Sequence, residues 1–276
     1  MPSASAQNQP KNSTIATTDA YGAEVEQFHS QILRVSLAME ESRVYWEHMT
    51  PEVPKEKRAT IAFEERWFGN KSMDRVRRLL SEFGSRYDAY PVALDVLRRW
   101  RPSDPMTRQN ICHWHMQLTD PTYRAFTGAF LERRRLQTNA TIDRDIAARW
   151  VTQQLKTEWS TTTILRMATG LITSAASAGL CSEMPKSRSL KYPKITDEAL
   201  AYWLYFLRHL SFTGSLLNNP YLASVGLSEG FLEQRLRRLP GLSFNRMGDL
   251  YEVDWQYPDL KAWAVHELGL SWEDEA

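Results

Sequence analysis

Apolar side chains recur three and four residues apart through most of the chain, and no stretch before residue 242 alternates apolar with polar positions for the length of a strand. That spacing lines one face of an α-helix, so the chain is confined to a mainly α, multi-helix globular body with little sheet. With 276 residues, 42% of them hydrophobic, there is enough apolar surface for one large domain or two modest ones.

Punctuation divides the periodic run into elements. Phe28, Ile32, Val35, Leu37, Met39, Val44 and Tyr45 predict a long amphipathic helix over 25–48, closed by Thr50-Pro51. A second is predicted over 55–68. Ser72 is placed to cap a third, which buries Met73, Val76, Leu79, Leu80 and Phe83, points Arg75 and Arg78 elsewhere and ends at Gly84. Pro91 opens a helix that runs to Trp100, and helices over 106–118 and 121–136 follow. Residues 1–22 carry too little apolar content to offset their ordering entropy and are expected to form a disordered tail. Residues 23–140 then make an N-terminal helical domain and residues 141–276 a C-terminal one.

Two segments of the second domain share a helix-turn-helix plan. In the first, helices over 145–156 and 161–177 flank a turn, with Ser160 as the cap of the second helix. That helix buries Ile164, Leu165, Ala168, Leu171, Ile172 and Ala175 and lines its opposite side with Thr162, Arg166, Thr169 and Thr173. Short hydroxyl side chains and one Arg let a helix approach DNA closely, hydroxyls reaching phosphates and the guanidinium a base edge. The following loop, 185–194, holds Lys186, Arg188, Lys191 and Lys194 and no acid, the composition of a flexible loop set against a phosphate backbone. The second segment has a short helix over 220–224, a turn, Ser228 as a cap, and a helix over 229–239 carrying Arg235, Arg237 and Arg238. The period then changes to two. Residues 242–246 and 250–255 predict a two-stranded hairpin containing Arg246, which completes the order of a winged helix near the C-terminus. Between the two segments, the stretch ALAYWLYFLRHL over 199–210 is apolar nearly all the way round, which predicts burial, and it is too short to span a bilayer.

Net charge is only +1, so affinity for a polyanion must come from local clusters. Residues 71–101 hold eight basic against four acidic side chains, and Arg133-Arg134-Arg135 adds another cluster. Gathered on one side of the fold these residues make an electrostatic track for duplex DNA; scattered, they are a solvated surface. Cys112 and Cys181 are too few for a disulfide framework and point to a reducing compartment. With no apolar signal core and no span of about 18 apolar residues, the expected location is the cytoplasm. Cys112-His113-Trp114-His115 looks like a metal cluster, but helical residues two apart point about 200° from each other, so the two imidazoles cannot share one ion. No phosphate-binding glycine loop, nucleophile elbow or zinc-protease helix occurs, so no catalytic residue, metal or cofactor is assigned and no enzyme activity is expected. A hydrolase would need His113, His115, His209 and His266, or carboxylates, to converge in one pocket.

Four stretches carry a family resemblance: FHSQILRVSLAMEESRVYWEHM, MDRVRRLLSEFGSRY, ICHWHMQLTDPTYRAFTGAFLERR, and the helix pair DRDIAARWVTQQLKTEWSTTTILRMATGLITSAASAGL with its turn at Trp159 and its stop at Gly179-Leu180. Over residues 25–180 the chain resembles the BrxA family of the BREX bacteriophage-exclusion systems. The resemblance implies a non-enzymatic, helical DNA-binding component encoded with a methyltransferase and ATPases, and it carries over no catalytic residue. The expected function is thus that of an accessory subunit of a phage-defence system. It would bind double-stranded DNA with little sequence selectivity through Arg75, Arg78, Thr162, Arg166, Thr169, Thr173, Lys186, Arg188, Lys191, Arg235, Arg238 and Arg246. The rival expectation is a protein-interaction scaffold without DNA contact, marked by an exposed aromatic patch around Trp255, Tyr257, Trp263 and Trp272.

Overall fold

The computed structural model describes residues 21–50, 53–154, 159–183, 187–248 and 250–272; the predicted tail, save its last two residues, lies outside them. In chain order the first half holds α1 (Met39–His48), α2 (Arg58–Glu64), α3 (Met73–Phe83), α4 (Pro91–Trp100), α5 (Pro105–Thr119), α6 (Pro121–Ala125) and α7 (Leu131–Arg135). The second half adds α8 (Arg144–Gln154), α9 (Thr161–Ser177), α10 (Asp197–Leu207), α11 (Pro220–Ser224), α12 (Glu229–Leu236) and α13 (Leu260–Leu268). Strands β1 (Thr141–Ile142) and β2 (Arg188–Ser189) pair antiparallel, as do β3 (Leu242–Met247) and β4 (Leu250–Trp255). No helix among the described residues is long and apolar enough to cross a membrane.

Helix starts follow local chemistry. The side chains of Ser72, Asp104, Asp120, Ser160, Thr196, Asn219 and Asp259 each accept a hydrogen bond from the backbone N–H three residues on, satisfying a donor that the first turn leaves orphaned. Proline occupies the first turn of α4, α5, α6 and α11, where no N–H is needed.

The centre is the pairing of α5 with α10. Every residue of α10 from Ala199 to Leu207 is buried, as the apolar coverage of that stretch predicts, and α5 is buried from Asn110 to Thr119. Trp114 stacks on Trp203 at 5.4 Å, and His115 stacks on Phe206 at 5.5 Å. One contiguous cluster of buried side chains runs from Ile32 to Ala264, so both halves of the chain share a core.

Three expected elements are corrected. The helix predicted over 25–48 exists only from Met39; before it lie a 3-10 turn, Gln31–Leu33, and extended chain ending at Ala38 in the left-handed region, φ +49°. Backbone groups that a helix would use are engaged elsewhere: Val25 N–H donates to Leu118 O at 3.0 Å, while the carbonyls of Arg34 and Leu37 accept from Arg75 and Arg86. Gly84 does not end α3, because it keeps helical angles and leads into a π turn, Gly84–Asp88, that carries Arg86 and Tyr87 into the interior. The helix predicted over 121–136 is divided by a second π turn, Phe126–Phe130. At its centre a Cβ on Gly128 would lie 2.5 Å from Pro220 Cβ and 2.7 Å from Pro220 O, so only glycine admits the start of α11 there.

Gly128→Ala is expected to lower stability by about 1–3 kcal/mol through overpacking. Gly230→Ala, in the exposed part of α12 with nothing within 4 Å, is expected to be neutral or stabilising by up to about 1 kcal/mol. Urea midpoints of the two variants against the parent check the pair.

Candidate nucleic-acid interface

The capping serine at 160 and the glycine at 179, φ +75°, bound α9 where the sequence places them. Met167, Ala168, Leu171, Ile172 and Ala175 face the core, and Thr162, Arg166, Thr169 and Thr173 are all exposed. What sequence could not supply is the neighbour of that polar face. The 3-10 turn at 31–33 lies against it: a Cβ on Gly170 would stand 3.1 Å from Ile32 O. Between them opens a surface groove of about 440 Å³, walled by Ile32 and Leu33 on one side and by Thr162, Leu165, Arg166 and Thr169 on the other, with Arg144 from the start of α8.

The strap that forms this wall is tied down by charged groups. His29 Nε2 lies 2.7 Å from Thr119 O. Arg75 donates to Arg34 O at 2.8 Å, and Arg86, itself buried, donates to Leu37 O at 3.0 Å. Arg34 stands 3.9 Å from Glu82, a carboxylate only 5% exposed. Burial raises the Glu82 carboxyl above its ordinary range, against the pull of Arg86 and Arg34, and burial likewise raises Asp120. Arg75, half-buried on α3, donates to the strap whose 3-10 turn lies against the polar face of α9. Arg34 and Arg144 are both exposed. Nothing in the sequence singled out these two, because its periodicity places Arg34 inside a helix and no local signal announces that Arg144 lines a groove with Arg166.

Other predicted residues fall elsewhere. Arg78 is exposed on the outer side of α3. Lys186 lies outside the described residues. The loop expected to be flexible is pinned over 187–191: Ser189 and Arg188 pair with Thr141 and Ile142, Leu190 N–H donates to Ala140 O at 2.8 Å, and Arg135 stacks over Tyr192 at 4.2 Å and donates to Lys191 O. Arg188 donates to Ser182 O at 3.1 Å, and its strand partner Ile142 precedes Arg144 by two residues, so this basic segment adjoins the groove; Lys191 is exposed. Arg235 and Arg246 are instead joined to Asp197 and Glu233, while Arg238 is exposed beyond the end of α12.

The basic run over 71–101 does not form one track. Arg86 points inward, Arg98 and Arg99 pair with Asp95, and Arg75, Arg77 and Arg78 stay on the surface of α3. Cross-strand register puts Ser243, Asn245, Met247, Leu250, Glu252 and Asp254 on the outer face of the hairpin, two carboxylates that repel phosphate. Of the aromatic patch expected of a scaffold, Trp263 is buried, and the other three are half-buried: Trp255 packs on Tyr205 at 4.8 Å, Tyr257 stacks on His266 at 4.9 Å, and Trp272 donates to Asp95 at 2.6 Å.

The histidines are dispersed. His113 lies between Tyr123 OH at 3.0 Å and Ser224 Oγ at 2.9 Å, His115 bonds Tyr202 OH at 2.8 Å, and His209 is 3.2 Å from Pro258 O. Among the described residues no three His, Cys, Asp or Glu are grouped to hold a metal ion.

A mainly helical body with two short antiparallel strand pairs and a basic surface groove is the class of protein these features define. A family model described as BrxA matches residues 26–203, and the chain belongs to the BrxA family of the BREX phage-defence systems. No curated protein matches the chain. Among solved structures, the crystal structure of an uncharacterized protein from Magnetospirillum magneticum is similar, with a TM-score of 0.54 and 16% identity over 66% of this chain and 97% of that one, a likeness of fold alone.

Burial pushes His113 and His115 down from 6.5 to about 3. The unfolded chain therefore binds more protons than the folded one between these values, so their contribution to stability is full above pH 6.5 and is lost as pH falls toward 3. His115→Gln is expected to flatten the fall in unfolding free energy between pH 6.5 and 4, measured by urea denaturation across that range.

Proposed function

We propose that this protein is a non-enzymatic accessory subunit of a BREX-type phage-defence system that binds double-stranded DNA along the groove between α9 and the 31–37 strap. The observation that carries the reading is the pair of exposed guanidinium groups in the groove, Arg144 and Arg166, with exposed Arg34 next in sequence to the groove residue Leu33, set among short Thr side chains that allow a close approach. Guanidinium forks grip phosphate oxygens, and hydroxyls and short side chains add contacts without demanding a base. Most of these groups suit the backbone rather than base edges, which favours binding with little sequence selectivity. Arg188 and Lys191 extend the basic surface toward the β1–β2 pair. Other defence subunits are expected partners by membership of the family.

Fluorescence anisotropy of a labelled random-sequence duplex, titrated at several salt concentrations, tests this. The parent is expected to bind with an affinity that falls steeply with salt. Arg144→Ala with Arg166→Ala is expected to weaken binding at least about tenfold and to reduce the salt slope by roughly two, one for each phosphate contact removed. Arg235→Ala with Arg246→Ala should leave both unchanged. An unaltered affinity and slope in the groove variant would remove the groove from the interface.

A further inference from the structure

The strap that walls the groove covers a second feature on its inner side. Gln31, Ile32 and Val35 close over a cavity of about 10 Å³ whose lining also includes Glu82 from α3, Arg86 from the π turn after it, and Asp120 from the junction of α5 and α6. Ile32 lines both this cavity and the groove, so one residue of the strap separates them. A space of that size holds one water at most, which cannot solvate two carboxyl groups, and Glu82 and Asp120 are both buried.

The charged and titratable groups around these acids are His29 and Arg34 on the strap and Arg86 on the π turn. Arg86, the buried cation among them, spends its N–H groups on strap carbonyls, Leu37 O at 3.0 Å and Ser36 O at 3.5 Å. Arg34 stays 3.9 Å from Glu82, beyond hydrogen-bond reach, with its side chain 59% exposed, where water screens the pair. Glu82 Oε1 has no hydrogen-bond donor among the described residues, and Asp120 Oδ1 takes the Tyr123 N–H at 2.9 Å to cap α6. Because Thr119 O can only accept, Nε2 of His29 carries the hydrogen of that bond. The neutral ring therefore bears its lone pair on Nδ1, 4.0 Å from Asp120 Oδ2. An ionised Asp120 sets negative charge against that lone pair, whereas a protonated one can turn an O–H toward it.

We infer that the strap is a proton-linked latch: a proton taken up by Glu82 or Asp120 seats residues 29–37 on α3 and α5, and its loss at higher pH loosens them and with them one wall of the groove. The seated strap buries both acids, and burial holds their carboxyls above the ordinary 4.5 and 3.8. Released, they return to water and to those values. The seated state thus binds more protons, so its gain is full below the ordinary values and is lost as pH rises through the raised ones. This trend opposes that of His113 and His115, whose burial weakens the whole fold as pH falls. A change in global stability therefore cannot imitate the latch.

Hydrogen exchange of the full chain without DNA, read by mass spectrometry at about pH 5 and about pH 8 and corrected for the intrinsic pH dependence of exchange, tests it. Protection over 29–37 is expected to be greater at the lower pH by about tenfold, the change that one unit of pKa shift brings, while α10 shows no gain. Glu82→Gln with Asp120→Asn, neutral shapes of which Asn still caps α6, should keep the strap protected at both pH values. Near-UV circular dichroism shows whether that variant is folded, and Glu82→Gln alone, which leaves the α6 cap untouched, should shrink the difference. The inference is overturned if strap protection in the parent is equal at the two pH values or greater at the higher one, if α10 gains protection in step with the strap, or if the folded variants keep the parent's difference. With DNA absent the outcome stands apart from duplex binding: a strap that responds to pH in a protein that binds no duplex would keep the latch and remove the DNA reading.

Discussion

Trp114 of α5 and Trp203 of α10 lie face to face at 5.4 Å, 17° from parallel, and most other elements are arranged by the need to enclose that contact. Beyond their first turns neither helix has a face for water: the buried stretch of α5 includes His113, His115, Gln117 and Thr119, and α10 is buried all round from Ala199 to Leu207. Two such helices can be stable only inside a shell. Polar groups on α5 are therefore answered by α10 and by the shell: Tyr202 of α10 for His115, and from the shell Ser224 and Tyr123 for His113, Thr127 for Gln117, and the Tyr221 carbonyl for the indole of Trp114. Each bond joins the centre to a particular neighbour, so the polar residues make the packing specific where a purely greasy helix could slide.

The strap over 21–38 shows how this shell makes a surface. It is laid along the body by hydrogen bonds to residues distant in sequence: Tyr21 to His209, Glu24 to Ser211 and Val25 to Leu118. Burying Ile32, Val35 and Leu37 favours the strap, and Arg75 and Arg86 satisfy the carbonyls it would otherwise leave without donors. Its passage over Gly170 turns the flat polar side of α9 into a groove.

Arginines in this protein divide by burial into two kinds. Arg86, Arg124 and Arg135 hold backbone carbonyls and carboxylates within the fold, and burial lowers Arg135 below its ordinary value. Arg34, Arg144 and Arg166 remain at the surface beside the groove. The near-neutral total of +1 conceals this division, because a formal count weighs a carbonyl clamp and an exposed guanidinium alike.

Apolar spacing, prolines and capping side chains determined by themselves that the chain is helical, that α3, α4 and α9 begin at Ser72, Pro91 and Ser160, that α10 is buried and that a hairpin follows residue 242. These features are local, set by side chains within about one turn of each boundary. The exposed side of α9 was legible for the same reason, since helical geometry alone separates Thr162, Arg166, Thr169 and Thr173 from the apolar stripe. Tertiary structure decided the rest: that residues 25–38 leave the helix their periodicity suggests, that π turns follow or divide two others, and that Arg144 and Arg166 line one groove. Each depends on hydrogen bonds or steric contacts between residues tens to hundreds of positions apart, such as Gly128 with Pro220 and Ile32 with Gly170, and no window of sequence contains both partners.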